Sequence, residues 1–194
     1  MLEPLCRPTF HRILVVPLLC LPGIHRISPN GVTFMALLTG LATLPLLALG
    51  KPYWALALLI LSGYFDILDG SLARQQGVSS QFGTVLDIVS DRIVESAILL
   101  GLLFQELSRG PWVAGMFAAT LICVTSFLVV GIFAENETEK GFHYSPGLIE
   151  RLEAFIVFAL MILMPQYFTI LAASYIVLVL LTSIIRVFEF WRQF

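Results

Sequence analysis

Four aspartates, Asp66, Asp69, Asp87 and Asp91, are the residues of this 194-residue chain best suited to chemistry. The first pair is spaced three apart and the second four apart, on either side of a short polar segment in the stretch DILDGSLARQQGVSSQFGTVLDIVSD. With helical flanks, each pair lies on one helix face. The flanks are apolar stretches of the kind that cross membranes, where an ionisable side chain at the centre of a span costs roughly 2.5 to 3.5 kcal/mol. Four would cost on the order of 10 kcal/mol, and even at the interface they repel one another unless a cation is bound among them. A helix cap accounts for one carboxylate, not four. Hard carboxylate oxygens suit magnesium or manganese, and magnesium keeps coordination positions for water and a substrate phosphate. The chemistry expected is metal-assisted handling of a phosphate compound at the edge of a bilayer.

The elements that must carry these carboxylates follow from hydropathy. With 58% hydrophobic against 12% charged residues and a mean hydropathy of +0.93, the chain is too apolar for an ordinary soluble domain. It reads as an all-α integral membrane protein, one domain over residues 1–194. A net charge of −2 with no basic run argues against a nucleic-acid partner. Cys6, Cys20 and Cys123 are odd in number and widely spaced, and read as packing residues. Residues 3–22 read as an amphipathic interfacial helix, with Arg7, His11 and Arg12 toward headgroups and Phe10, Ile13 and Leu14 toward lipid. A bundle of six transmembrane helices then occupies residues 32–192.

Pro29, Asn30 and Gly31 mark a turn, with Asn30 or Thr33 as cap, before a first span from about Val32 to Leu49. The second runs from about Tyr53 to Arg74 and the third from about Phe82 to Phe104. The short connector QQGVSSQ makes these two antiparallel neighbours with their aspartates on one side. Arg92 and Glu95 read as an ion pair inside the third span. The fourth span covers about Trp112 to Ala134, the fifth about Leu152 to Met164, and the sixth about Phe168 to Phe190. The longest polar segment, Glu135 to Arg151, joins the fourth to the fifth and holds His143 and Tyr144. Six spans put both termini and the aspartates on the face carrying Arg7, Arg12, Arg26, Arg74, Lys140, Arg151 and Arg192, against Lys51 and Arg109 on the other. The excess of Lys and Arg predicts that this face is cytoplasmic.

Written as spacing, the stretch is D-x2-D-G-x2-A-R-x8-G-x3-D-x3-D, with Asp66, Asp69, Gly70, Ala73, Arg74, Gly83, Asp87 and Asp91 in order. It resembles the signature of the CDP-alcohol phosphatidyltransferase family at all eight fixed positions. A carboxylate-held metal and an arginine fork are what would grip a diphosphate. Gly70, Ala73 and Gly83 leave room for a planar base and its ribose at the backbone; the resemblance adds that the base is cytosine. It implies a homodimeric enzyme in which an acceptor hydroxyl attacks the phosphorus of a CDP-linked lipid such as CDP-diacylglycerol and expels CMP, making a phospholipid. An alcohol needs its proton removed as the bond forms, and the resemblance gives Asp91 that role, with Asp66, Asp69, Asp87 and Asp91 holding up to two Mg2+ or Mn2+ ions. Asn30 and Ser80 match flanking positions that contact the nucleotide and the diphosphate.

The resemblance implies a small polar alcohol as the acceptor. Gly147 to Phe155, GLIERLEAF, resembles the start of the fifth span in the inositol-phosphate-using branch, and Arg186 falls where that branch keeps an arginine. Phe133 and Glu135 occupy places where it is basic, and Ala154 replaces an arginine. Arg151 and Arg186, with Glu135, are therefore the candidate acceptor contacts. Two rival classes also place carboxylates in apolar helices. A divalent-cation channel or transporter has no need of Gly70, Ala73, Arg74 and Gly83 at fixed distances. An intramembrane prenyltransferase holds a diphosphate with aspartate-bound magnesium but uses differently spaced motifs. Magnesium-dependent CMP release separates the first reading from both.

Overall fold

The computed structural model describes Val15, Pro17, Ile24 and residues 27–78, 80–133 and 151–192. Every regular element among them is helical. They fall into two compact units, one ending at Ser108 and the other beginning at Arg109. The expected interfacial helix, apart from Val15 and Pro17, lies outside the described residues, as do Cys6, Cys20, Glu135, His143 and Tyr144.

The first unit holds α1 (Pro29–Leu41), α2 (Thr43–Ala48), α3 (Pro52–Gln76) and α4 (Gln81–Gln105). α1 and α2 are one apolar rod tightened at Ala42, because Pro45 has no N–H to return to the Leu41 carbonyl. The rod ends in a Schellman turn. Gly50 adopts φ 66°, and Lys51 N reaches Leu46 O at 2.8 Å. Pro52 then opens α3 at its first turn, where a missing N–H costs nothing. α3 closes in the same way at Gly77, φ 65°, with Val78 N on Ala73 O at 3.1 Å.

The connector does bring the aspartate ends of α3 and α4 together, but the bodies of the two helices pack on α1 and α2 rather than on each other. The expected pairing of the second and third spans is therefore corrected to two helices flanking a third. The reason is side-chain size. Ala36, Gly40 and Thr43 are buried along one face of the rod, and a Cβ on Gly40 would stand 2.6 Å from Val94 Cγ1 of α4 and 2.9 Å from Ser62 Oγ of α3. Ser62 Oγ also donates to Ala36 O at 2.8 Å. Small residues that let backbones approach are the usual glue where lipid removes the hydrophobic drive. Near the aspartates, Val15, Ile24, Val32, Leu68 and Leu72 form a buried cluster.

The second unit holds α5 (Gly110–Phe133), α6 (Arg151–Leu163) and α7 (Phe168–Trp191), with α5 packed along α7. Thr120 Oγ1 and Tyr175 OH share a hydrogen bond of 2.9 Å, and the Tyr175 ring lies 5.5 Å from that of Phe158 in α6. Buried Arg109 places its guanidinium 4.6 Å over the Phe168 ring.

Among the described residues, four segments are long and apolar enough to cross a membrane: Pro29–Ala48, Pro52–Gln76, Leu107–Phe133 and Pro165–Trp191. α4 has the length, 25 residues, but carries Asp87, Asp91, Arg92 and Glu95. The described part of α6 is 13 residues long.

Candidate active site

Two helix N-termini and one helix C-terminus meet at the aspartates. Ser28 caps α1, its Oγ accepting from Gly31 N at 3.1 Å, with Pro29 as the first helical residue. The cap is thus Ser28 rather than Asn30 or Thr33, and both of those side chains are left to line a cavity. Ser80 caps α4 in the same way, accepting from Gly83 N at 3.0 Å. From the other side comes the last part of α3, with Asp69, Gly70, Ala73 and Arg74, followed by Val78.

The cavity they enclose measures about 320 Å³. All six expected donor-contacting residues, Asn30, Gly70, Ala73, Arg74, Ser80 and Gly83, line it, together with Asp69 and Asp87. Ser28, Pro29, Thr33 and Thr84 line it too. Of these, Ser28 was legible as a cap, since Ser before Pro is a helix-start signal. A Cβ on Gly83 would lie 3.1 Å from Ser80 Oγ and 3.4 Å from Asn30 Oδ1, so any side chain there would press on the α4 cap and on Asn30. Unsatisfied N–H groups and the positive ends of two helix dipoles favour an anion in such a space.

At one wall, Asp66, Asp69 and Asp87 each offer an oxygen, and the three oxygens lie within 4.8 Å of one another. Asp69 is only 6% exposed, and its Oδ2 is buried with no hydrogen-bond partner among the described residues. A carboxylate oxygen so placed costs several kcal/mol unless a cation meets it. The donor set, three hard anionic oxygens, fits magnesium or manganese. Asp91 is not part of this group. It sits one turn further along α4, partly buried.

The expected ion pair forms within α4, Arg92 Nη1 to Glu95 Oε2 at 2.7 Å. In the second unit, buried Arg186 donates through Nη1 to Cys123 O at 3.0 Å and to Ser126 Oγ at 3.1 Å. Its guanidinium lies 5.2 Å over Phe127. Arg151, at the start of α6, lies 5.6 Å over Phe155. Ala154 is buried and Phe133 exposed.

Comparison with known proteins agrees with the motif. The family model for CDP-alcohol phosphatidyltransferases matches residues 26–188. A phosphatidylinositol phosphate synthase of Corynebacterium glutamicum is 31% identical over 148 residues, 75% of this chain and 67% of the relative. The inner membrane protein YnjF of Escherichia coli K12 is 31% identical over 97% of this chain and 92% of its own length. Across the curated phosphatidylinositol phosphate synthases the match spans 52% to 67% of their length. The crystal structure of Mycobacterium tuberculosis phosphatidylinositol phosphate synthase (PgsA1) with CDP-DAG bound superposes with a TM-score of 0.64 at 26% identity, covering 97% of this chain and 92% of that one. A second crystal structure of that enzyme is a complex with manganese and citrate, at 25% identity and the same TM-score of 0.64. On the strength of a match covering most of its length, the chain belongs to the CDP-alcohol phosphatidyltransferase family and is, as the motif implied, a membrane-embedded transferase.

Proposed function

We propose that this protein makes a phospholipid by transferring the phosphatidyl group of CDP-diacylglycerol to a small polar alcohol, with CMP as the other product. The observation that supports this most directly is the buried, unpartnered Oδ2 of Asp69 among three converging carboxylates, at the wall of a cavity into which two capped helix N-termini open.

In this reading Asp66, Asp69 and Asp87 would hold one divalent ion, and Asp91 would touch a second. The bound metal supplies charge neutralisation at the diphosphate. Arg74 offers a guanidinium fork to the phosphate oxygens, while Asn30, Ser80 and the N–H groups near them take the remaining oxygens. Gly70, Ala73 and Gly83 admit the cytidine. Asp91 accepts the proton of the acceptor hydroxyl as its oxygen bonds to the lipid-bearing phosphorus. The bond from that phosphorus to the bridging oxygen breaks, and the electron pair leaves on CMP.

The full proposal is one catalytic domain over residues 1–194, with six spans, α4 and α6 among them, and an interfacial helix over residues 3–22. The protein is a homodimer with its site facing the cytoplasm. Arg151 and Arg186, with Glu135, contact the acceptor. The test is CMP release by purified protein with CDP-diacylglycerol and magnesium, assayed separately with serine, glycerol phosphate, inositol phosphate, inositol and a lipid alcohol. Magnesium-dependent release with one acceptor is expected. No release with any, despite tight CDP binding, would keep the donor site and reject the acceptor class.

A further inference from the structure

Arg74 lies at the mouth of the cavity, exposed, and a long exposed arginine samples many rotamers unless something fixes it. Two neighbours on α3 bear on its course. The guanidinium folds back along the helix over Gly70, where an added Cβ would come within 3.5 Å of Nη1. It also donates through Nη2 to Ser71 Oγ at 3.2 Å. Ser71 is itself fixed. It is 3% exposed, and its hydroxyl proton is committed to Ile67 O at 2.8 Å, which turns an oxygen lone pair toward the arginine. Ser71 lies at a position that the eight-residue signature leaves open.

We infer that Ser71 is a positioning residue for the donor. Its hydroxyl, oriented by the Ile67 carbonyl, holds the Arg74 fork over Gly70 and so presents it to the diphosphate. This rests on the reading of Arg74 as a donor contact. The competing account is that Ser71 only bonds back to the preceding turn, as serines in apolar helices commonly do. That role would affect folding without any dependence on Arg74.

The experiment measures CDP affinity in the presence of Mn2+ for the full chain in nanodiscs, with Ser71→Ala, Arg74→Ala, the double variant and Ser71→Thr. Loss of one hydrogen bond of ordinary strength predicts about fivefold weaker CDP binding in Ser71→Ala. The KM for CDP-diacylglycerol should rise by a similar factor with kcat within about twofold, because the bond is present before and during reaction. In the Arg74→Ala background the same serine change should have no further effect. Ser71→Thr, which keeps a hydroxyl able to bond the same carbonyl, should restore affinity. An unchanged affinity in Ser71→Ala while Arg74→Ala weakens binding would overturn the inference and leave the donor site standing, as would equal serine effects in both backgrounds. Unchanged affinity in Arg74→Ala would overturn the donor-site reading and this inference together.

Discussion

In α5 and α7 the polar side chains turn to one another. Thr120 meets Tyr175 at 2.9 Å, and Arg186 spends its Nη1 donors on Cys123 O and Ser126 Oγ. Buried Arg109 rests on the face of Phe168. In α3 and α4 charges of one sign are gathered instead: Asp66, Asp69 and Asp87 converge, and Asp69 Oδ2 is buried without a partner among the described residues. Both units embed polar groups in apolar helices and both incur the desolvation cost. The second unit recovers most of it internally through hydrogen bonds and ring contacts, leaving Arg186 Nε buried without a partner among the described residues, in keeping with the acceptor role proposed for that residue. The first leaves part of it to be recovered by something that binds. The contrast predicts opposite signs for the same kind of substitution: removing a polar group should stabilise the empty first unit and destabilise the second.

Asp69→Asn is the strongest test. Outer contacts to a metal ligand already cost 10- to 100-fold when removed, so loss of a ligand itself should take turnover down by more than about 100-fold. Metal and CDP binding should be lost together, read by Mn2+ EPR and by calorimetry with CDP. Without metal, however, the variant should melt about 2–4 °C higher than the parent, the shift for roughly 1 kcal/mol in a chain of this size, because a repelling buried charge has gone. Added Mn2+ should raise the melting temperature of the parent by mass action and leave that of the variant unchanged. A metal-free variant less stable than the parent would mean that Asp69 is held by the fold rather than kept for a ligand.

Asp91→Asn separates chemistry from binding within the same unit. Asp91 stands outside the oxygen cluster, so the ion held by Asp66, Asp69 and Asp87 and CDP should still bind with nearly parental affinity, and only the second ion should be weakened. A missing general base costs roughly 100- to 10,000-fold in turnover. Turnover within tenfold of the parent would remove the base from Asp91.

How much of this was legible follows the range of each interaction. The motif could be read because its spacing is local: residues three or four apart share a helix face whatever the rest of the chain does, and all six positions expected to contact the donor do line one cavity. Locality alone does not say how deep Asp91 stands. Four residues along a helix is a common face but also about 6 Å of rise, enough to leave Asp91 out of the group formed by Asp66, Asp69 and Asp87. The connector fixed where α3 and α4 converge, yet their packing partner was decided elsewhere, by Ala36 and Gly40 on α1. That small-x3-small spacing was present in the sequence and is the signal that names α1 as the shared partner.

Gly83→Val tests the cavity without touching a charge. The Cβ alone would crowd Ser80 Oγ at 3.1 Å and Asn30 Oδ1 at 3.4 Å, and the two methyls of valine must project further. CDP affinity should fall by about tenfold or more, the loss of one or two ordinary hydrogen bonds at the α4 cap and Asn30. Mn2+ binding at the carboxylates should stay within about twofold. Equal losses of Mn2+ and CDP would show that the substitution had disturbed the whole end of the bundle.

The smallest effect belongs to the second unit and supplies the opposite sign. Tyr175→Phe keeps the ring on Phe158, 5.5 Å away, and deletes only the hydroxyl shared with Thr120. Hydrogen bonds between helices inside a membrane are worth about 0.6 kcal/mol on average, so the variant should be destabilised by about that amount in reversible unfolding. A cycle with Thr120→Val should assign the loss to the pair, with the double variant little worse than either single one. CDP and Mn2+ affinities should not move, because the bond serves only the two helices that make it. Were Tyr175→Phe to raise stability, as Asp69→Asn is expected to do in the metal-free protein, the hydroxyl pair would also be a group kept for a ligand, and the division between the units would fail.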